Sequence, residues 1–184
     1  MSDRSAHSPA TRPSELTTLL STSLMVATGV RVSELTSIRL TDIDVPAGQI
    51  RILGKGRRER TVYLPGVWLA ALCGLYLQTR EQIGVDHDRL LFNHVKDPLT
   101  PSAVRLRLAK ACECAKLSRK VTPHMLRHSA ATQLLESGLD IRYVQRLLGH
   151  ASITTTEIYT HVTDRALRQM IADANVLEAL VQPT

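Results

Sequence analysis

Aromatic residues are scarce in this chain of 184 residues, which contains one Trp, four Tyr and one Phe. Proteins that bind single strands by stacking bases on aromatic side chains need more of them, so the composition excludes that class. The longest apolar run, residues 67–77, has 11 residues, whereas a membrane-spanning helix needs about 20. We therefore expect no membrane association, and the run itself predicts a buried helix.

Cysteine is also rare, and no secretory signal opens the sequence. The three cysteines, Cys73, Cys112 and Cys114, are too few for a disulfide framework. Cys112 and Cys114 lie two positions apart in a predicted helix, so they point in different directions and cannot jointly bind a metal. We expect all three to be small buried hydrophobic residues. The polar N-terminal segment favours a cytoplasmic protein.

Lysine is the rarer cation, because 18 of the 23 basic residues are Arg in a chain of formal net charge +6. Residues 45–80 carry a net +5 and residues 98–150 a net +6, while the rest of the chain is slightly acidic. This segregation indicates a polyanion-binding face, although solvated helix surfaces are an alternative explanation. A guanidinium group binds phosphate oxygens in a bidentate manner, so the excess of Arg favours nucleic acid as the partner.

Hydrophobic residues make up 43% of the chain, enough for one core. Residues 1–12 predict a flexible tail or linker remnant, and residues 13–184 one domain. Two β-prone runs, residues 49–53 and 59–64, flank a glycine-containing turn and predict an antiparallel hairpin. The predicted fold class is mainly α with a small antiparallel β-sheet. Its predicted helices cover residues 13–29, 32–38, 66–83, 101–116, 123–137, 140–148, 152–160 and 164–177.

Five short segments contain residue types that phosphate chemistry uses. Arg31 follows a helix-ending glycine in ATGVRVSEL, and Lys55 occupies the hairpin turn. The segment HMLRH places His124 and Arg127 one helical turn apart on a shared face. LLGH ends in His150, and TTTEIYTH presents a tyrosine, residue 159, in a predicted helix. Each of these residues alone has an ordinary explanation as a core or surface side chain.

In this order and at these separations, the segments resemble the catalytic domain of the tyrosine recombinases, the phage integrase family. The resemblance extends over about residues 14–177. It implies the family's fold and a DNA-associated prokaryotic protein that cleaves and rejoins DNA at specific sites. The implied reaction passes through a covalent 3′-phosphotyrosine and uses no metal, ATP or other cofactor. The implied partners are double-stranded DNA, further copies of the chain in a synaptic tetramer, and a separate DNA-clamping domain or accessory protein.

Tyr159 carries the nucleophilic role that the resemblance implies. A tyrosine hydroxyl can attack a phosphodiester and later leave again, so the energy of the DNA bond is kept in the covalent intermediate. Its ordinary pKa is about 10, so it needs a base or positive surroundings near neutral pH. Arg31 and Arg127 would clamp the phosphate and stabilise its pentacoordinate state.

Lys55, His124 and His150 complete the catalytic set that the resemblance implies. Lys55 would be the general acid for the departing 5′ oxygen, because lysine releases a proton more readily than the arginines nearby on the hairpin. His124 would act as an acid or base near the nucleophile, and His150 would donate a hydrogen bond to the phosphate. His128 and His161 match family histidines without a phosphate role, and we interpret both as structural.

Further arginines are predicted to bind DNA phosphates and to set the register of the protein on the duplex. They lie on the hairpin, on the helix before HMLRH and on the helix before LLGH. They are Arg57, Arg58, Arg105, Arg107, Arg142 and Arg146.

The chain departs from the family in one respect. Family members place a helical DNA-clamping domain before the catalytic domain, and only about a dozen residues precede it here. A recombinase without this core-binding domain should bind DNA weakly and in a salt-sensitive manner. The apolar segment 174–180 is hypothesised to dock on a neighbouring protomer, with an intramolecular last helix as the alternative.

Three other functions compete with a recombinase. The first is a non-catalytic DNA-binding or regulatory module that retains the fold. The second is a type IB topoisomerase, which uses similar phosphotyrosine chemistry. The third is a zinc hydrolase with His124 and His128 as ligands, although the sequence lacks the glutamate of the HExxH motif.

Overall fold

The computed structural model describes residues 12–54, 56, 58–149, 169 and 171. This part of the chain is mainly helical and contains a three-stranded antiparallel sheet, which confirms the predicted fold class. The helices are α1 (Pro13–Thr28), α2 (Val32–Ser37), α3 (Gly66–Gln82), α4 (Pro101–Cys114), α5 (Pro123–Glu136) and α6 (Ile141–Leu148). The strands are β1 (Ile43–Asp44), β2 (Gln49–Leu53) and β3 (Glu59–Tyr63), and a short 3₁₀ helix, Leu40–Asp42, precedes β1.

Local sequence sets the helix starts. Proline occupies the first turn of α1, α4 and α5, where its missing N–H costs no intrahelical hydrogen bond. The Thr100 hydroxyl accepts a hydrogen bond from the backbone N–H of Ala103, and Thr122 does the same for Met125. These caps satisfy backbone donors that the helix leaves unpaired. The predicted starts of these three helices are confirmed.

The sheet has the order β1-β2-β3, and β2 and β3 form the predicted hairpin. Within it, Ile52 lies opposite Arg60 and Leu53 opposite Glu59. Ile52 and Val62 are buried, because alternate side chains of a strand point to the core. β1 was not among the predicted elements, since a strand of two residues has too little pattern to reveal it.

Helix α1 lies at the centre of the fold and packs against α3, α4 and α5. One buried cluster joins α1, α2, the sheet, α3 and α4, with Leu20 and Leu35 fully inaccessible. A second cluster joins α5 and α6 to Val26 of α1 and Tyr63 of β3. The second cluster holds α5 and α6 against α1 and β3.

The prediction that residues 67–77 form a helix is confirmed, but the prediction that this helix is buried is wrong. Val67 is 87% exposed, Trp68 53% and Leu75 52%, whereas Tyr76 is fully buried. A helix on the surface buries only one stripe of its circumference. The length of an apolar run does not reveal which side faces solvent.

The three cysteines are all free thiols, but they are not all buried as predicted. Cys73 and Cys112 are buried and Cys114 is exposed. Cys114 is the last residue of α4, and two positions rotate it away from the buried side of that helix. Burial raises the pKa of the Cys73 thiol to about 12.

Several predictions lie outside the described residues. They are the tail up to residue 11, the helix over 152–160, the helix over 164–177 apart from residues 169 and 171, which are helical, and the apolar segment 174–180. Among the described helices, none is long and apolar enough to cross a membrane.

Candidate active site

The turn between α1 and α2 places Arg31. Helix α1 ends at Gly29, whose φ of 63° is a left-handed conformation that favours glycine. A β-carbon at Gly29 would collide with the side chain of Leu148. The turn is therefore packed directly against the end of α6, and Arg31 is the N-cap residue directly before α2 at that contact.

Arg127 lies on α5 and is 9% exposed. Its Nη1 donates to the carbonyl oxygen of Gly29 at 2.6 Å, and its Nη2 donates to the carbonyl oxygen of Leu148 at 2.7 Å. A guanidinium group can make both bonds at once because its donors are fixed in a plane. Arg127 therefore joins the turn after α1 to the last residue of α6.

Arg31 reaches the same place from the other side. Its Nη1 lies 3.5 Å from the carbonyl oxygen of Leu148, and its Nη2 donates to that of Gly149 at 3.3 Å. The two guanidinium groups thus lie side by side at the end of α6. Burial and the charge of Arg31 lower the pKa of Arg127 to about 10, so Arg127 remains cationic at neutral pH. Two adjacent cations of this kind can together attract an anion.

Glu34 is a buried carboxylate that sequence reasoning missed. It is 6% exposed and accepts hydrogen bonds from the backbone N–H and Nη1 of Arg31, both at 2.9 Å. Burial raises its pKa, but hydrogen bonds from Arg60 and Arg31 outweigh burial and lower the pKa to about 2. The i, i+3 spacing of Arg31 and Glu34 is the sequence signal that could have indicated the pair.

Arg60, on β3, is the second residue that sequence reasoning missed as a partner in the site. Its Nη1 and Nη2 bind the two carboxylate oxygens of Glu34 at 2.9 and 2.8 Å. Its Nε donates to the carbonyl oxygen of Leu147 at 2.7 Å. Three arginines from distant segments therefore bind consecutive carbonyl groups at the end of α6, with Glu34 between two of them.

The two histidines of HMLRH are exposed on α5. His124 lies in the first turn of the helix, one turn before the buried Arg127. His128 follows Arg127 directly and is also exposed. An exposed His124 on the face of Arg127 is accessible to a large substrate.

The remaining predicted catalytic residues lie outside the described residues. They are Lys55, His150 and Tyr159, and the same applies to Arg57 and His161. Two described glycines adjoin them in the chain, since Gly54 precedes Lys55 and Gly149 precedes His150.

The predicted DNA-binding arginines differ in their surroundings. Arg58, Arg105, Arg142 and Arg146 are exposed. Arg107 is half-buried, and its Nη1 donates to the backbone oxygen of Ser14 at 2.7 Å, joining α4 to α1. Arg107 therefore has a structural contact within the domain besides the DNA role predicted for it.

Metal-ligating side chains do not cluster in the described part of the chain, where no group of three or more His, Cys, Asp or Glu residues could hold an ion. His124 and His128, the pair of the zinc-hydrolase alternative, belong to no such group there.

Residues 4–166 match the model of the phage integrase family. A tyrosine recombinase XerC of Listeria welshimeri is 46% identical over 150 residues, which cover 79% of this chain and 49% of that protein. The crystal structure of XerA recombinase superposes with a TM-score of 0.67 at 32% identity, covering 94% of this chain and 64% of that one. A XerH site-specific recombinase, in its pre-cleavage complex with difH substrate, also gives 0.67 at 32% identity, covering 85% and 46%.

The chain spans about half the length of the curated relatives it matches. The residues that match the family model, 4–166, include Arg31, Glu34, Arg60 and Arg127.

Proposed function

The chain belongs to the phage integrase family, and from this premise we propose that it is the catalytic part of a site-specific tyrosine recombinase. In this proposal it cleaves and rejoins double-stranded DNA through a covalent 3′-phosphotyrosine intermediate, without metal or ATP. The proposal concerns an activity of the whole protein, and the part of this chain that aligns with the Listeria welshimeri relative covers 49% of that protein.

The observation that carries the proposal is the meeting of Arg31 and Arg127 at the carbonyl oxygen of Leu148. Both cations lie at the end of α6. This helix ends two positions before His150 in the chain. A DNA phosphate bound there would receive hydrogen bonds from two arginines, which compensate the negative charge of the pentacoordinate state. Glu34 partly neutralises the charge of Arg31. The described hydrogen-bond partners of Arg127 are both neutral carbonyl groups.

The chemical steps assign one role to each remaining residue. The hydroxyl oxygen of Tyr159 attacks phosphorus, and the bond from phosphorus to the 5′ oxygen breaks. Lys55 gives a proton to that 5′ oxygen, which leaves as a hydroxyl group. His124 accepts the proton of the tyrosine, and His150 donates a hydrogen bond to the phosphate. Rejoining reverses these steps, with a 5′ hydroxyl as the nucleophile.

Double-stranded DNA is the proposed substrate and further copies of the chain are the proposed partners. The exposed arginines Arg58, Arg105, Arg142 and Arg146, together with Arg57 and Arg107, would contact DNA phosphates. The relative XerH is described in complex with difH substrate, which supports DNA as the substrate here. A DNA-clamping domain or accessory protein would supply the affinity that the catalytic half alone lacks, and a synaptic tetramer would bring two duplexes together.

A trapping experiment tests the proposal. The chain is incubated with a pool of duplexes that carry a randomised core and one nick, so that a short 5′-hydroxyl fragment is lost after cleavage. Covalent protein–DNA adducts are separated under denaturing conditions, and the attached DNA is sequenced. We expect an adduct with wild type that persists in chelator and disappears in Tyr159→Phe.

Tyr143→Phe is the matched control, since Tyr143 lies on α6 and has no role in the proposed chemistry. It should form adduct at the wild-type level. An equal adduct in Tyr159→Phe would refute the nucleophile. Retention of DNA with no adduct by the wild type would favour the non-catalytic binding module instead, and loss of adduct in chelator would refute metal independence.

A further inference from the structure

Arg60 lies between the two segments that lead to Lys55 and His150. It is on β3, in the strand that follows the hairpin turn, and its guanidinium group reaches the end of α6. Its side chain is 12% exposed. This places a nearly buried arginine between the base of the turn and the last carbonyl groups of the helix.

The hydrogen bonds of Arg60 use every nitrogen of its guanidinium group. Nη1 and Nη2 bind Glu34, and Nε binds the carbonyl oxygen of Leu147. A bidentate pair with a carboxylate fixes the plane of the guanidinium group as well as its position. Arg60 is therefore held in one orientation by Glu34 and the end of α6.

Two glycines lie against this guanidinium group. A β-carbon at Gly54 would lie 3.4 Å from Nη1 of Arg60 and 3.5 Å from Oε1 of Glu34. A β-carbon at Gly149 would lie 3.0 Å from the same Nη1 and 3.2 Å from Cζ of Arg60. Arg60 thus packs closely on the residue before Lys55 and on the residue before His150.

Resting on the proposed function, we propose that Arg60 is a positioning residue that holds the turn carrying Lys55 against the end of α6 carrying His150. The contacts at Gly54 and Gly149 hold the residues that directly precede the proposed general acid and the proposed phosphate donor in the chain. Through Glu34, the same guanidinium group also holds Arg31. Arg60 acts on the reaction only through these neighbours and does not touch the substrate.

The first experiment uses the nicked duplex recovered by trapping, prepared with either oxygen or sulfur at the scissile 5′ bridging position. A thiolate leaves without protonation, so the sulfur substrate does not need a general acid. Arg60→Met should slow single-turnover cleavage of the oxygen substrate by about 100-fold, the cost of a small misplacement of reacting groups. The defect should be at least about tenfold smaller with sulfur, and DNA affinity should change far less than the rate.

Arg51→Met is the matched control. Arg51 is an arginine of β2 in the same sheet, but its partner is Asp42, at 2.9 Å, and its side chain is 55% exposed. It should cleave both substrates at the wild-type rate. Arg60→Lys keeps the charge but not the bidentate geometry, so it should stay close to Arg60→Met. Equal defects of Arg60→Met with oxygen and sulfur, or a wild-type rate, would overturn the proposal.

A second measurement separates this inference from the proposed function. Hydrogen exchange at the backbone amides of Gly54 and Gly149 reports on the two segments without any DNA. The amide of Gly54 donates to the carbonyl oxygen of Arg58, and the amide of Gly149 donates to that of Arg146. Arg60→Met should speed exchange at both sites together by about tenfold. If wild type forms no adduct, the proposed function fails while this result still decides the positioning. Faster exchange at one site alone, or at neither, would overturn the positioning of the two segments.

Discussion

Arg127 and Gly29 are joined by a hydrogen bond of 2.6 Å although 98 residues separate them in the chain. The bond connects the middle of α5 to the glycine that ends α1, two residues before Arg31. One side chain of the proposed active site therefore fixes the backbone that carries another. Substitutions here should change stability and catalysis together.

Arg127→Lys tests this connection. A lysine ammonium group lacks the planar arrangement that binds Gly29 and Leu148 at the same time, so one buried carbonyl group loses its donor. We expect the free energy of unfolding to fall by about 2 kcal/mol and adduct formation to fall by at least about 100-fold. Urea unfolding and the trapping assay measure the two effects. Arg39→Lys, in an exposed ion pair with Asp88, should change neither, and an unaffected Arg127→Lys would contradict the assignment.

Glu34 should make stability depend on acid pH. Its pKa is lowered from 4.5 to about 2 in the folded domain, so its contribution is fully present above pH 4.5 and is lost as the pH falls toward 2. Unfolding free energies measured between pH 7 and pH 2 should show this decline. Glu34→Gln should lower stability at pH 7 by about 3 kcal/mol, because a buried pair loses its charge, and should make the acid decline shallower.

The exposed pair of Arg39 and Asp88 provides the control for that series. Both side chains are more than half exposed, so Asp88→Asn should cost less than about 1 kcal/mol. If Glu34→Gln and wild type lost the same unfolding free energy between pH 7 and pH 2, the arginine partners would not lower the pKa of Glu34.

Gly149→Ala should be more destabilising than Gly138→Ala. Both glycines have positive φ, 66° and 89°, but a β-carbon at Gly138 meets open space, whereas one at Gly149 meets Arg60. The backbone cost of about 1 kcal/mol should be common to both. The excess at Gly149 should disappear in the Arg60→Met background, which a double-mutant cycle of unfolding free energies measures. Equal costs at the two glycines would rule out close packing on Arg60.

Substitutions of Arg107 and Arg105 should distinguish a role in folding stability from a role in DNA binding. Arg107 joins α4 to the backbone of Ser14, so Arg107→Met should lower the free energy of unfolding by about 1 kcal/mol. Arg105 is exposed on the same helix, so Arg105→Met should leave stability unchanged. If Arg105 contacts a phosphate, its loss should reduce the salt dependence of DNA binding by about one unit of slope. A loss of stability in Arg105→Met would contradict the expectation that Arg105 has no role in folding.

The cysteines should differ in reactivity. Cys114 is exposed, while Cys73 is buried and has a pKa raised to about 12, so little reactive thiolate forms there at pH 8. A colourimetric disulfide reagent should therefore modify Cys114 rapidly and Cys73 only after unfolding. Mass spectrometry of peptides identifies the labelled residue, and Cys114→Ser should abolish the rapid phase. Rapid labelling of Cys73 in the folded chain would contradict its burial.

The secondary structure was largely predictable because its signals are local. Pro13, Pro101 and Pro123 mark helix starts, and Gly29 marks an end, within a few residues of the groups they affect. Which side of a helix faces solvent was harder to predict from the sequence. Nothing near Trp68 in the sequence shows that its side chain is half exposed among the described residues, because that depends on where α1 lies.

The proposed site was predictable only in part, for the same reason. Arg31 and Arg127 belong to short segments whose order resembles a known family, so they could be named before the fold. Glu34 and Arg60 form a buried pair across 26 residues, and neither segment shows by itself that the other is close. In the sequence Arg60 is one of several arginines on a hairpin, and only its three hydrogen bonds distinguish it from the exposed Arg58.

The shared carbonyl group of Leu148 also bears on the newly synthesised chain. Arg31 leaves the ribosome well before α5 and α6 have been made, and until α6 has formed its last turn the oxygen that both arginines share is missing. A partly unfolded chain contains the same side chains without their arrangement. In an enzyme whose proposed work is to cut DNA, strand breakage would thus be reserved for the finished domain.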